Sequence, residues 1–157
     1  MSIGLGDWDK PCYHIPAVFP ADRFILNSVQ ELAIHEWDIR SKLDVSTKLS
    51  SLCLPAVMDF IAAFVVGTMF RPGIDQTETV RFRFELTGAV PGSRDIVAEN
   101  GNVYMESARA TTANVTIRCD TETFALLVYG RTSLAQAESG GRLTVEGDRE
   151  LASLISG

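Results

Sequence analysis

The hydrophobic positions of this chain change period once, and that change divides it. Beyond Pro20, Ile25, Val29, Leu32, Ile39 and Leu43 recur at spacings of three, four and seven, which places them on one face of an α-helix. A polar edge of Ser28, Glu31, His35 and Asp38 runs beside that face at the same helical spacing. After a loop rich in Ser and Lys, Pro55 opens "PAVMDFIAAFVVGTMF". That run is apolar nearly all round, as expected of a helix buried on several sides. "RPGIDQTE" then breaks the helical pattern, and the period becomes two. In "TVRFRFELTG", Val80, Phe82, Phe84 and Leu86 alternate with Arg81, Arg83 and Glu85, which predicts a half-buried strand. A one-residue slip would bury all three charged side chains, so the phenylalanines must face the core.

The remaining elements follow from turn and cap chemistry. "DIVAENGNVYMES" reads as a hairpin turning at Asn100-Gly101, where both residues tolerate positive φ. "ANVTIRCD" repeats the alternation, with Val115, Ile117 and Cys119 inward. Asp120 and Thr121 cap a helix, "ETFALLVYG", that stops at Gly130. "RLTVEGD" gives a last short strand, and Asp148 caps a terminal helix reaching Leu154. The first dozen residues, with Gly4, Gly6 and Pro11, read as irregular. Two helices, a group of strands, a helix, a strand and a helix make an α+β fold with a mainly antiparallel sheet. The boundary lies between Arg71 and Glu78, separating a helical segment, residues 1–70, from a C-terminal domain, residues 71–157.

Composition narrows the function. With 157 residues and 46% hydrophobic side chains, the chain can bury a core. Its formal charge of −6 lacks the basic surface that phosphate contacts need, so no nucleic-acid partner is expected. The longest apolar run, Phe60 to Phe70, is too short to span a bilayer, and no secretory pattern opens the chain. Cys12, Cys53 and Cys119 are odd in number and widely spaced, which fits reduced thiols better than a disulfide framework. A cytoplasmic protein is the expectation. The same apolar run is too hydrophobic for water and leads us to expect a homodimer with the helices at or near the interface.

The segment "ELAIHEWDIR" carries the candidate chemistry. Glu31 and His35 stand four residues apart, so both can reach one point from one helix face. They would supply two of the three protein ligands of a catalytic zinc-type site, with Asp38 fixing the imidazole tautomer. The plainer alternative is an intrahelical hydrogen bond worth at most about 0.5 kcal/mol.

This segment resembles the signature helix of the DinB-like, mycothiol-dependent maleylpyruvate isomerase family. The alternating strands, the helix ending in "YGR" (Tyr129, Gly130, Arg131) and the "VEGD" from Val145 to Asp148 resemble that family's C-terminal domain, which is of the sterol carrier protein type. The resemblance runs from about Pro20 to the end. It implies a divalent metal such as zinc, a low-molecular-weight thiol such as mycothiol, and Arg131 as the anchor of a substrate carboxylate. In such chemistry the metal activates the thiol, and the thiolate attacks an unsaturated or electrophilic substrate. The family takes its third ligand from a histidine on an earlier bundle helix, and nothing of that kind precedes Pro20 here. His14, in "PCYHIP", is the other histidine available; a second subunit or a separate chain is the alternative source. Two functions from other classes remain beside the enzyme: a module holding a small apolar ligand against Val80, Phe82, Phe84 and Leu86, and a non-catalytic dimerisation module.

Overall fold

The computed structural model describes residues 4–14 and 17–155, without the side chains of Leu5, His14, Ala17 and Phe19. It divides into two compact units, Met1–Val57 and Met58–Gly157.

In the first unit, a short 3-10 turn at Leu5–Asp7 leads into strands β1 (Pro11–His14) and β2 (Ala17–Pro20), paired antiparallel with Cys12 opposite Phe19. This ribbon replaces the irregular start read from the sequence, whose glycines and Pro11 masked a four-residue pairing. Helix α1 (Ala21–Leu43) follows without a break. It closes where Asp44 turns extended, and the Asp44 carboxylate accepts from the Ser46 backbone N–H and hydroxyl at 2.9 and 2.7 Å. The Trp37 indole N–H donates to the Thr47 carbonyl at 3.2 Å, tying the outgoing loop to the helix.

The face that α1 buries differs from the one its hydrophobic spacing indicates. Asn27, Gln30, Ala33 and Ile34 are buried, whereas Leu32, Ile39 and Leu43 are 71%, 68% and 86% exposed. Gln30 remains inside because its amide donates to Asn27 at 3.1 Å and to Glu31 at 2.8 Å, which satisfies a polar group that burial would otherwise penalise.

Helix α2 (Leu54–Phe60) continues as a π-helical turn, Ile61–Val65, and a final turn α3 (Val66–Thr68). Ile61, Val65, Val66 and Phe70 point inward, while Ala62, Ala63, Thr68 and Met69 are exposed. The run stops at Gly67, whose φ is +93°. A Cβ there would lie 2.4 Å from the Val103 carbonyl oxygen, so no other residue fits without a shift.

The sheet of the second unit has the order β5-β4-β3-β6-β7. Its strands are β3 (Val80–Thr87), β4 (Gly92–Glu99), β5 (Asn102–Ser107), β6 (Val115–Asp120) and β7 (Leu143–Gly147). Every neighbour pair is antiparallel except β3 with β6, which run parallel with Phe84 opposite Ile117. The α+β fold with a mainly antiparallel sheet is therefore as the sequence indicates. Strand β3 is central and alternates as expected: Phe82 and Phe84 are completely buried. The β4–β5 hairpin turns at Asn100 and Gly101, with φ of +51° and +75°, the signs a type I′ turn requires.

Helix α4 (Thr121–Val128) covers the buried face. The Asp120 carboxylate accepts from the Thr123 N–H at 2.6 Å to cap it, and Phe124 meets Phe84 edge-on at 4.8 Å between ring centroids. At its other end Gly130 adopts φ of +69°, with the Arg131 N–H on the Leu126 carbonyl and the Gly130 N–H on the Leu127 carbonyl. This closes the helix through paired 6→1 and 5→2 bonds. A short helix that the periodicity did not reveal, α5 (Leu134–Ser139), follows at once. Its signal is the reciprocal cap in "SLAQ": Ser133 Oγ accepts from the Gln136 N–H, and Gln136 Oε1 from the Ser133 N–H. Asp148 caps α6 (Arg149–Ala152), two residues shorter than the sequence suggests.

Gly147 also holds a position only glycine accepts, with φ of +103° and an added Cβ 2.4 Å from the Asn114 carbonyl oxygen. Replacing Gly147 or Gly67 with Ala should each destabilise the fold by about 2 kcal/mol or more. Shifted midpoints in urea unfolding at unchanged slope would register this.

Candidate functional site

Glu31, His35 and Asp38 come together over about two turns of α1. His35 Nε2 lies 3.3 Å from Glu31 Oε2, and His35 Nδ1 lies 3.3 Å from Asp38 Oδ2. The i, i+4 and i, i+3 spacings make this arrangement unavoidable once the helix forms. All three side chains are substantially solvent-accessible, with His35 the most open. The other Glu31 oxygen, Oε1, accepts from Gln30 at 2.8 Å, which steers Oε2 toward the ring.

The geometry of this group tests the metal reading. A tetrahedral zinc with bonds of about 2.0–2.2 Å sets its ligand atoms about 3.3–3.5 Å apart, and the Nε2 to Oε2 separation matches one such edge. Asp38 on Nδ1 is the partner that would present Nε2 outward as an acceptor. Asp38 itself cannot be a ligand of the same ion, because it sits on the opposite ring nitrogen. The donor types therefore fit a divalent metal, but their number does not. Among the described residues no three His, Cys, Asp or Glu side chains converge on one point. The backbone of His14 lies in β1, and its side chain is outside the described residues.

Arg131 sits just past the C-terminus of α4, where its Nη1 donates to the Tyr129 carbonyl at 2.6 Å. A cation over the last carbonyls of a helix is favoured by its dipole. The side chain is half-buried and oriented by this contact. The three cysteines are free: Cys12 and Cys53 are half-buried and Cys119 is buried. Burial, followed by the charge of Asp120, pushes the Cys119 thiol up to about 12, so it is inert as a nucleophile near neutral pH. No described helix is long and apolar enough to cross a membrane.

The sequence reading did not single out the most organised polar group of the second unit. Asp95 is completely buried on the sheet face opposite Phe82 and Phe84. Its carboxylate accepts from Arg81 at 2.8 Å and from Arg83 at 2.9 and 3.0 Å. Arg83 also donates to the carbonyls of Arg109 and Thr111 at 2.6 and 3.0 Å, which secures the crossover from β5 to β6. Arg81 reaches Glu106 at 2.8 Å. A signal for this hub existed in the aspartate placed mid-strand, since Asp95 stands directly across from Arg83 in the β3–β4 register.

Residues 51–154 match the family model described as the MDMPI C-terminal domain. The chain belongs to this family. No curated protein matches it significantly. Several solved structures are similar at low identity. A ubiquinone synthesis protein, UbiJ-SCP2, is 18% identical with a TM-score of 0.49, covering 66% of this chain and 90% of its own. Sterol carrier protein 2 from Yarrowia lipolytica is 14% identical with a TM-score of 0.41, covering 69% and 98%. A double mutant of the sec-alkyl sulfatase PisA1 is 13% identical with a TM-score of 0.48; the match covers 64% of this chain but only 15% of that enzyme.

Burial by itself would raise the Asp95 carboxyl, but the hydrogen bonds from Arg83, Arg81 and the Arg109 N–H outweigh it and hold the group below the ordinary 3.8. A depressed folded-state value means that Asp95 stabilises the fold above the unfolded value and loses that contribution as pH falls through the folded one. Asp95→Asn should therefore cost about 3 kcal/mol at neutral pH. It should also flatten the loss of stability below about pH 4, as measured by urea unfolding at stepped pH.

Proposed function

We propose that this chain is a maleylpyruvate isomerase-like component of a metal-dependent, low-molecular-weight-thiol-dependent isomerase or transferase, carrying two of the metal's protein ligands. The observation that carries this reading is the family match over residues 51–154. It is supported by an imidazole–carboxylate pair on α1 with the separation of two ligands on one ion. In this reading Glu31 and His35 are ligands, Asp38 orients the His35 ring, and Arg131 binds a substrate carboxylate as a bidentate pair. Residues 1–70 act as the remnant of a helical bundle and residues 71–157 as the substrate-side domain. The proposed cofactors are zinc and a thiol of the mycothiol kind. No catalytic step is assigned to the metal, since the described residues of one chain offer it two ligands.

A second reading, a non-catalytic module for a small apolar ligand, draws on the family match over residues 51–154 set against the two ligands found among the described residues. Phe82 and Phe84 are fully buried, and Phe124 stacks edge-on against Phe84. They behave as close-packed core, which favours the first reading.

Thiol-dependent isomerisation of maleylpyruvate, followed with mycothiol and added zinc, tests the proposal. Activity should vanish in His35→Ala and fall in Glu31→Gln, which removes charge while keeping shape. Arg131→Ala should raise KM about tenfold to a hundredfold, and Arg131→Lys should not restore it because lysine lacks the planar fork. An inactive parent that instead binds a fatty acid tightly would favour the second reading.

A further inference from the structure

Asn100 and Gly101 turn the β4–β5 hairpin, and they are also the reactants of an intramolecular reaction. The carboxamide of an asparagine is open to attack by the backbone nitrogen of the next residue, which closes a succinimide ring. A side chain on that next residue crowds the ring, and a hydrogen bond to the nitrogen or the carboxamide holds the groups apart. Neither obstacle is present at this turn. Glycine carries no Cβ, and a Cβ added to Gly101 would meet nothing within 4 Å. Both residues are exposed. Among the described residues no acceptor takes the Gly101 N–H, and the bond at the tip goes to the Asn100 carbonyl, which accepts from Asn102 Nδ2 at 3.2 Å.

The other asparagines of the chain, which has four in all, lack this combination. Asn27 is buried on α1 and precedes Ser28. Asn102 lies in the ladder opposite Glu99 and precedes Val103, which is buried and β-branched. Asn114 precedes Val115, and its carboxamide oxygen accepts from the Arg81 N–H at 2.8 Å. Asn100 alone of the four joins exposure to a following glycine with space around it.

We infer that Asn100–Gly101 is a site of spontaneous covalent modification whose isoaspartate product loosens the tip of the β4–β5 hairpin. The Gly101 nitrogen, giving its proton to water, bonds to Asn100 Cγ as the Cγ–Nδ2 bond breaks, and ammonia leaves with that proton. Water then opens the ring. Cleavage at Cγ yields aspartate, and cleavage at the main-chain carbonyl yields isoaspartate, in which the backbone runs through Cβ and Cγ. One water is consumed and one ammonia released, with no change of oxidation state. Either product sets a carboxylate beside Glu99, whose Oε1 accepts from the Tyr104 hydroxyl at 2.5 Å. Isoaspartate also adds a main-chain carbon to a turn that has room for two residues between Glu99 and Asn102. The strands cannot slip to absorb it. Ala98 pairs with Val103, and the Val103 carbonyl oxygen lies so close to Gly67 that a Cβ there would stand 2.4 Å away. The extra atom is therefore taken up at the tip, at the expense of the Glu99–Asn102 pairing.

The test holds the full chain folded in mildly alkaline buffer beside a sample unfolded in urea, and digests both with trypsin over several days. Cleavage after Arg94 and Arg109 leaves Asn100 and Asn102 in one peptide. Fragmentation in a mass spectrometer then tells which amide has become an acid, and whether as aspartate or isoaspartate. The folded chain should convert at Asn100 within about tenfold of the unfolded rate, a barrier difference of at most about 1.4 kcal/mol. Asn27, Asn102 and Asn114 should keep their amides in the folded chain. Asn100→Gly, which suits the same turn, should yield no acid in that peptide. The acidic fraction of the parent, isolated by ion exchange, should unfold at a lower urea midpoint than the parent, whereas Asn100→Asp should unfold close to it. An Asn100 amide that survives in the folded chain while the unfolded chain loses it overturns the site, as does equal conversion at Asn102. An acidic fraction that unfolds with the parent, or with Asn100→Asp, overturns the loosening.

Discussion

The second unit depends on the register of β3. This strand is paired on both sides, antiparallel to β4 and parallel to β6, so each of its faces must be satisfied at once. Phe82 and Phe84 fill one face under α4, and Arg81 and Arg83 occupy the other. A shift by one residue would exchange them, burying two guanidinium groups among apolar side chains and exposing two aromatic rings. With the register set, Val115 and Ile117 of β6 align with Phe82 and Phe84, and Asp95 of β4 aligns with Arg83.

Asp95 then explains why the far side of the sheet is ordered. A carboxylate withdrawn from water costs several kcal/mol unless its oxygens are filled. Here two arginines and a backbone N–H fill them. Because Arg83 also holds two carbonyls of the following crossover, one buried charge couples the hairpin to the loop that delivers β6. The arrangement is architectural: its groups saturate one another, in contrast to the open Glu31–His35 pair on α1.

That contrast separates structure from chemistry in this chain. The imidazole of His35 is exposed and held by two carboxylates on its two nitrogens, a preorganisation that a plain surface histidine does not need. Among the described residues its surroundings supply the donor types of a metal site but no third ligand. The same helix leaves Leu32, Ile39 and Leu43 largely exposed.

Local rules were enough for much of this protein. The alternation in β3, the Asn100-Gly101 turn, the caps at Asp120 and Asp148 and the stop at Gly130 are short-range demands, and each element formed where its residues asked. The proximity of Glu31 to His35 was equally legible, because helical spacing alone enforces it. The reciprocal cap of α5 was present in the sequence but is too short for periodicity to mark, and the four-residue pairs of β1 and β2 lacked alternation. What the sequence could not decide was which face of α1 would be buried. Its apolar spacing pointed to Ile25, Leu32 and Ile39, yet Asn27, Gln30 and Ile34 took the interior, since a polar residue can be buried once neighbouring side chains complete its hydrogen bonds. Nor could it reveal that Asp95 would collect Arg81 and Arg83, residues 14 and 12 positions away. That grouping exists only after strand pairing brings distant residues into one low-dielectric place, where a buried charge must find its partners.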